Sequence, residues 1–212
     1  SIEMKKILIL FFIASLSISS YAQDKVVLKQ TFIKVNPGNN YAEDLKTKFG
    51  EMAQKRINAG WQSGWHLWEV VGNPQAPFTH LIVEPMTISQ MEKERTREGW
   101  MKMRKEAVPS MTDSDWRTFM EDVREKREIV AEAMFVTVTD IKRDNKVNLP
   151  DDVGVVNWMK VKEGKFKTYE NMEKSLYAKG LNKNGLRTGW SLGKRIDKYG
   201  VDLYWNYFTV DW

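Results

Sequence analysis

Side chains able to do chemistry are sparse in this chain, and their spacing excludes more than it suggests. Its only histidines are His66 and His80, and it contains no cysteine. Neither histidine sits in an H-E-x-x-H or H-x-H spacing, so a zinc or iron site would need carboxylates from distant segments. The expectation is no metal and no cofactor. "GWQSG" (60–64) places its serine one position too late for the nucleophile elbow G-x-S-x-G. Phosphate loops and dinucleotide fingerprints are absent. Without cysteine there is no thiol nucleophile, no disulfide framework and no thiolate metal site. No catalytic set assembles from the sequence, and whether the protein is an enzyme stays open.

What the chain has in excess is aromatic surface, with nine Trp, nine Phe and seven Tyr. Two aromatic stretches repeat one order of residue types, "GWQSGWHLW" (60–68) and "GLRTGWSLG" (185–193). Neither glycine pair precedes a helix N-terminus, so neither can cradle a phosphate. Each reads instead as a corner between a helix and a strand, used twice.

The elements around these corners repeat too. "KVVLKQTFIKV" (25–35) predicts a strand, and Leu45, Phe49, Met52 and Ile57 recur at helical spacing after it. "SGWHLWEVV" and "FTHLIVEPM" predict a strand pair. Ser89 with Glu92, and Thr112 with Asp115, have the form of capping boxes. The helix from Thr112 carries the stripe Trp116, Phe119, Met120, Val123 and Val130, and "AMFVTVTDI" (133–141) predicts a further strand. A polar segment (142–152) then reads as a linker. After it "WMKV" (158–161) repeats "FIKV" (32–35), Gly164 repeats Gly38, and Phe166, Tyr169, Met172 and Leu176 form a second helical stripe. The Gly-Trp corner and "DLYWNYFTVDW" complete the second copy, which lacks a last helix and strand. The predicted organisation is residues 1–22 as a signal peptide, 23–141 as a first repeat with a long helical insert, 142–152 as the linker, and 153–212 as a shortened second repeat.

Two β-α-β-β units in tandem resemble the ferredoxin-like half-barrels of the dimeric α+β barrel superfamily. Its members include antibiotic-biosynthesis-monooxygenase-type proteins, stress-responsive barrel proteins and several haem-handling enzymes. The resemblance covers nearly all of the chain after residue 22 and rests on element order and duplication. It implies an α+β fold in which tandem ferredoxin-like βαββ(αβ) repeats face each other as a pseudo-dimeric α+β barrel. Function varies widely across that fold, so the resemblance implies architecture and not chemistry.

Strand parity then sorts the side chains. Trp65 and Leu67 match Trp190 and Leu192 and are expected to pack on helices, whereas His66 and Trp68 face Ser191 and Gly193 in the comparison and should point between the sheets. The same parity sends Phe32 and Trp158 inward and Ile33, Val35, Met159 and Val161 toward helices. Aligning "THLIVE" with "WNYFTV" pairs His80 with Asn206, each polar in an apolar run. The candidate ligand-binding residues are thus Phe32, His66, Trp68, His80, Trp158 and Asn206, lining a cavity for a small apolar or aromatic molecule. Two alternatives stay open. One is a cofactor-free oxygenase or haem-handling enzyme with His66 or His80 as acid, base or axial group. The other is an interaction module using the 89–132 helices.

The N-terminus suggests where the protein acts. Lys5 and Lys6, the apolar run Ile7–Ile13, and Ser20 and Ala22 before Gln23 have the layout of a secretory signal peptide. The run is too short for a stable membrane span. The expectation is an exported protein, periplasmic or extracellular, cleaved before Gln23. A net charge of +5 on 33 basic and 28 acidic residues is too mild to suggest a nucleic-acid partner. Monomer and homodimer both fit.

Overall fold

A computed structural model describes residues 25–72, 75–142, 153–184, 189–197 and 205–211. The segment expected as a signal peptide (1–22), residues 143–152 of the expected linker and residues 185–188 of the second Gly-Trp corner lie outside the described residues. Among the described residues seven strands form one sheet: β1 (Val26–Val35), β2 (His66–Glu69), β3 (His80–Thr87), β4 (Arg127–Lys142), β5 (Val155–Met159), β6 (Gly189–Arg195) and β7 (Tyr207–Asp211). Their order is β2-β3-β1-β4-β6-β7-β5, and every neighbouring pair is antiparallel. The fold is therefore α+β. The edge strands β2 and β5 run in the same direction, as alternation over seven strands requires, so they cannot pair antiparallel with each other.

Helices cover one side of this sheet. Helix α1 consists of Tyr41–Asp44, a π-helical segment Leu45–Phe49, and Gly50–Asn58; α2 is Ile88–Glu92, α3 Arg97–Ala107, α4 Asp113–Lys126 and α5 Phe166–Asn184. Tyr41 and Leu45 of α1 and Phe119 and Val123 of α4 pack on Ile33, with Val35, Leu67 and Ile82 beside them. In the other half Phe166 and Tyr169 of α5 pack on Trp190, Leu192 and Tyr207. Thr112 and Asp115 form the expected capping box for α4, but the box before α2 is Thr87 with Gln90, not Ser89 with Glu92. The second correction is at β4. Arg127 is already extended (φ −149°), and Val130 packs on the sheet's inner cluster rather than on the α4 stripe.

The sheet curls. On a flat sheet β1 and β5, four positions apart, would be separated by about 19 Å. The Phe32 and Trp158 rings are nonetheless 5.9 Å apart, centroid to centroid. The uncovered face is thereby folded onto itself as a half-barrel, and its side chains form an interior of their own. β4 runs through the middle of it, pairing with β1 from Arg127 to Val136 and with β6 from Phe135 to Lys142.

The two halves use the same pairings. Phe32 lies opposite Leu81 as Trp158 lies opposite Phe208, and Leu67 opposite Ile82 as Leu192 lies opposite Thr209. Gly38 and Gly164 both take left-handed turns, with φ of 80° and 75°. These registers correct the third-strand alignment by one residue. Thr79, not His80, stands where Asn206 stands. Thr79 N–H donates to the Ile33 carbonyl, and its hydroxyl accepts from Val35 N–H. Asn206 N–H donates likewise to the Met159 carbonyl, and its amide oxygen accepts from Val161 N–H. His80 matches Tyr207, and a slip of one residue moves a side chain to the opposite face.

Candidate functional site

The inner face of the curl gathers aromatic side chains from both halves. Phe32 touches Phe78 edge-on at 4.9 Å and lies 5.9 Å from both Trp158 and Trp205. Trp158 in turn lies 5.6 Å from Phe78 and 5.8 Å from Trp205. Tilted and edge-on contacts of this kind add to the transfer free energy of the rings. Trp68 packs on the same cluster, half-buried. Small residues of β4, Ala131 and Ala133, form the floor opposite Phe32 and Gln30.

Polar groups divide unevenly between the faces. Under the helices the carboxylates and hydroxyls are matched. The Tyr207 hydroxyl donates to Glu170 at 2.7 Å, and Lys194 donates to the same carboxylate at 3.2 Å. Burial works against the Glu170 charge, but these two bonds outweigh it and hold the carboxyl below its usual range. Asp44 follows the same pattern, with burial opposed and outweighed by Lys48 and Lys126. Burial pushes the Tyr41 hydroxyl up to about 12, with Arg127 pulling the other way. Six buried side-chain nitrogen or oxygen atoms among the described residues lack a partner. Three are Nε atoms of arginines otherwise engaged: Arg56 with Glu84, Arg104 with Asp113, and Arg127 with Tyr41. The other three are Gln30 Oε1, Trp158 Nε1 and Trp205 Nε1, and all belong to the inner face.

Of the residues singled out from sequence, Phe32, Trp68 and Trp158 meet in this cluster. His66 lies two residues before Trp68 on the same side of β2. Its imidazole and Pro85 crowd the space above Gly64, where an added Cβ would lie 3.2 Å from His66 Nε2 and 3.1 Å from Pro85 Cγ. His80 and Asn206 are elsewhere. His80 is opposite Ile33 on the helix-covered side, buried, with Nδ1 2.9 Å from the Thr79 hydroxyl. Burial lowers its pKa, against an opposing pull from Glu69. Asn206 donates to the Val161 carbonyl and accepts from Val161 N–H, both at 2.8 Å, so its amide fastens β5 to β7. Sequence reasoning missed Gln30 and Trp205. The signal for Gln30 was its place two residues before Phe32, on the inward parity of a β-branched strand.

The halves differ where Trp68 and Gly193 correspond. An added Cβ at Gly193 would lie 2.1 Å from the Phe208 ring, which fills the space that Trp68 occupies in the first half. A separate concavity of about 420 Å³ lies between α3 and α4, lined by Arg104, Pro109 and Met111 among others. Arg104 is committed there to the turn itself, through the Met111 and Thr112 carbonyls and Asp113. Among the described residues no group of His, Asp and Glu is arranged to hold a metal ion, and no helix is long and apolar enough to cross a membrane.

No family model and no curated protein matches the chain. Among solved structures it is similar to a "putative monooxygenase" from Lactobacillus acidophilus NCFM, at 11% identity over 89% of this chain and 76% of that one, with a TM-score of 0.45. It is also similar to a "putative chlorite dismutase", at 9% identity over 88% of this chain and 79% of that one, with a TM-score of 0.42.

Proposed function

We propose that this is an exported protein whose inner sheet face binds a small, flat, largely apolar molecule among Phe32, Phe78, Trp158 and Trp205. One observation carries the reading: the unpartnered polar atoms outside arginine all lie on the inner face. Buried polar groups are nearly always hydrogen-bonded, and leaving one unpaired costs about 1–3 kcal/mol. A core serving stability alone would fill these positions with Phe, Leu or Met. An aromatic wall with two indole N–H donors suits a stacked ligand carrying an acceptor. The ligand reaches the donors by parting the rings, because the indole nitrogens are closed to solvent in the free protein.

The shared registers of the two halves support a tandem duplication whose copies face each other across the site. In this reading the second copy supplies Trp158 and Trp205 and the first supplies Phe32, Phe78 and Trp68. Of the two histidines only His66 shares the inner side of the sheet.

Titration of the full chain with 2-methoxynaphthalene, followed by tryptophan fluorescence and calorimetry, tests the reading. Saturable binding at one site, weakened when Trp158 and Trp205 are changed to Phe, supports it; no saturable binding sinks it. Export is tested separately by N-terminal sequencing of protein from the cell envelope or medium. The chain should start at Gln23, and retention of residues 1–22 would count against export.

A further inference from the structure

Gln30 is 2% exposed and lies on β1 between Val83 of β3 and Ala133 of β4, facing the inner cluster. Its amide oxygen is buried without a partner. The chemistry is opposite to that of the indoles, since Trp158 and Trp205 offer donors and Gln30 offers an acceptor. Gln30 stands two residues from Phe32, about 7 Å along the strand, and the Phe32 ring touches both indoles. The corresponding position of the second half is Val156, which packs on the same cluster with no polar group. An amide at this point is therefore a feature of one half and not a requirement of the sheet.

We propose that Gln30 is a specificity-determining residue of the inner site, selecting neutral planar molecules that bring an O–H or N–H donor to its amide oxygen. This rests on the reading of the inner face as a binding site. Positively charged groups are unnecessary for such a ligand, and Arg195, opposite Phe135 on β6, is already held by Asp197 at 3.0 Å. A ligand with acceptors alone would leave the Gln30 oxygen unpaired in the complex, as it is in the free protein.

The test compares 2-naphthol, which carries a donor and an acceptor, with 2-methoxynaphthalene, which carries only an acceptor, by calorimetry on the full chain. The wild type should prefer 2-naphthol by about tenfold, the value of one net hydrogen bond. Gln30→Met should bring the two probes within about twofold of each other by weakening 2-naphthol alone. The variant should fold, because it removes an unpaired acceptor and keeps the side-chain length, and its thermal midpoint should match or exceed that of the wild type. Equal binding of both probes by the wild type, or a preference that survives in Gln30→Met, overturns the role of Gln30 and leaves the site intact. Failure of both probes to bind overturns the site itself and the selectivity with it.

Discussion

The two faces of this sheet are built from similar apolar material and are finished differently. Beneath the helices, Tyr207, Glu170 and Lys194 close a hydrogen-bonded set around Trp190 and Leu192. Inside the curl, the Gln30 amide oxygen and the indole nitrogens of Trp158 and Trp205 are shut off from water and bond to nothing. A fold gains nothing from such groups at the free-protein stage. Satisfaction of polar groups, more than apolarity or burial, separates a stabilising core from a surface kept for a visitor.

The largest expected effect marks where the inner face ceases to be available. Gly193→Ala would place a methyl group inside the Phe208 ring, which is itself pinned edge-on to Phe135 at 4.9 Å. A loss of about 3 kcal/mol is expected, at the upper end for overpacking, read from chemical denaturation. A loss below about 0.5 kcal/mol would mean that this end is as loose as the aromatic cluster.

Next comes a direct contrast between the faces. Tyr207→Phe strips the Glu170 carboxylate of a buried donor and should cost about 2 kcal/mol. Acid should act on the same side of the sheet. The folded state holds the Glu170 and Asp44 pKa values down, so their stabilisation is present above the usual carboxylate range and is lost as pH falls through the folded values. His80 adds an earlier loss. Its folded pKa lies below the usual value near 6.5, so the unfolded chain takes up the proton first and stability declines as pH drops below that point. With Glu69 and Lys46 the charged groups acting on it, His80→Gln should flatten the pH dependence just below about 6.5 while leaving the carboxylate-driven fall at lower pH. An unchanged profile would remove His80 from the account.

The smallest expected effect is the most diagnostic of the contrast. Trp158→Phe deletes a buried N–H that bonds to nothing and keeps an aromatic ring, so stability should stay within about 0.5 kcal/mol or rise. A cost as large as that of Tyr207→Phe would erase the distinction between the faces.

Much of this was legible in the sequence because strand parity is a strict rule. The alternation in "FIKV" and "WMKV" was enough to send Phe32 and Trp158 one way and Val35 and Val161 the other, and the repeated Gly-Trp corner anchored Leu67 and Leu192. Parity fails when the register is slipped, and "THLIVE" and "WNYFTV" alternate well enough in either of two alignments. Only the hydrogen bonds of Thr79 and Asn206 to their partner strands decide between them. The start of β4 was hidden for a similar reason. "REIVAE" continues the charge pattern of α4, and its extended form comes from pairing with β1, nearly a hundred residues earlier in the chain. Parity puts Gln30 on the inward side with Phe32, but a glutamine in a strand ordinarily faces water, and its burial depends on a curl that no local pattern encodes.

The central claim is that the inner face is a binding site and not a second core. The measurement that tests it most directly pairs binding of 2-naphthol with thermal unfolding, for the wild type and for the double variant Trp158→Phe, Trp205→Phe. Saturable binding by the wild type is expected, with at least about tenfold weaker binding by the double variant and an unfolding midpoint that is unchanged or higher. Loss of stability in the double variant with no saturable binding by the wild type would contradict it.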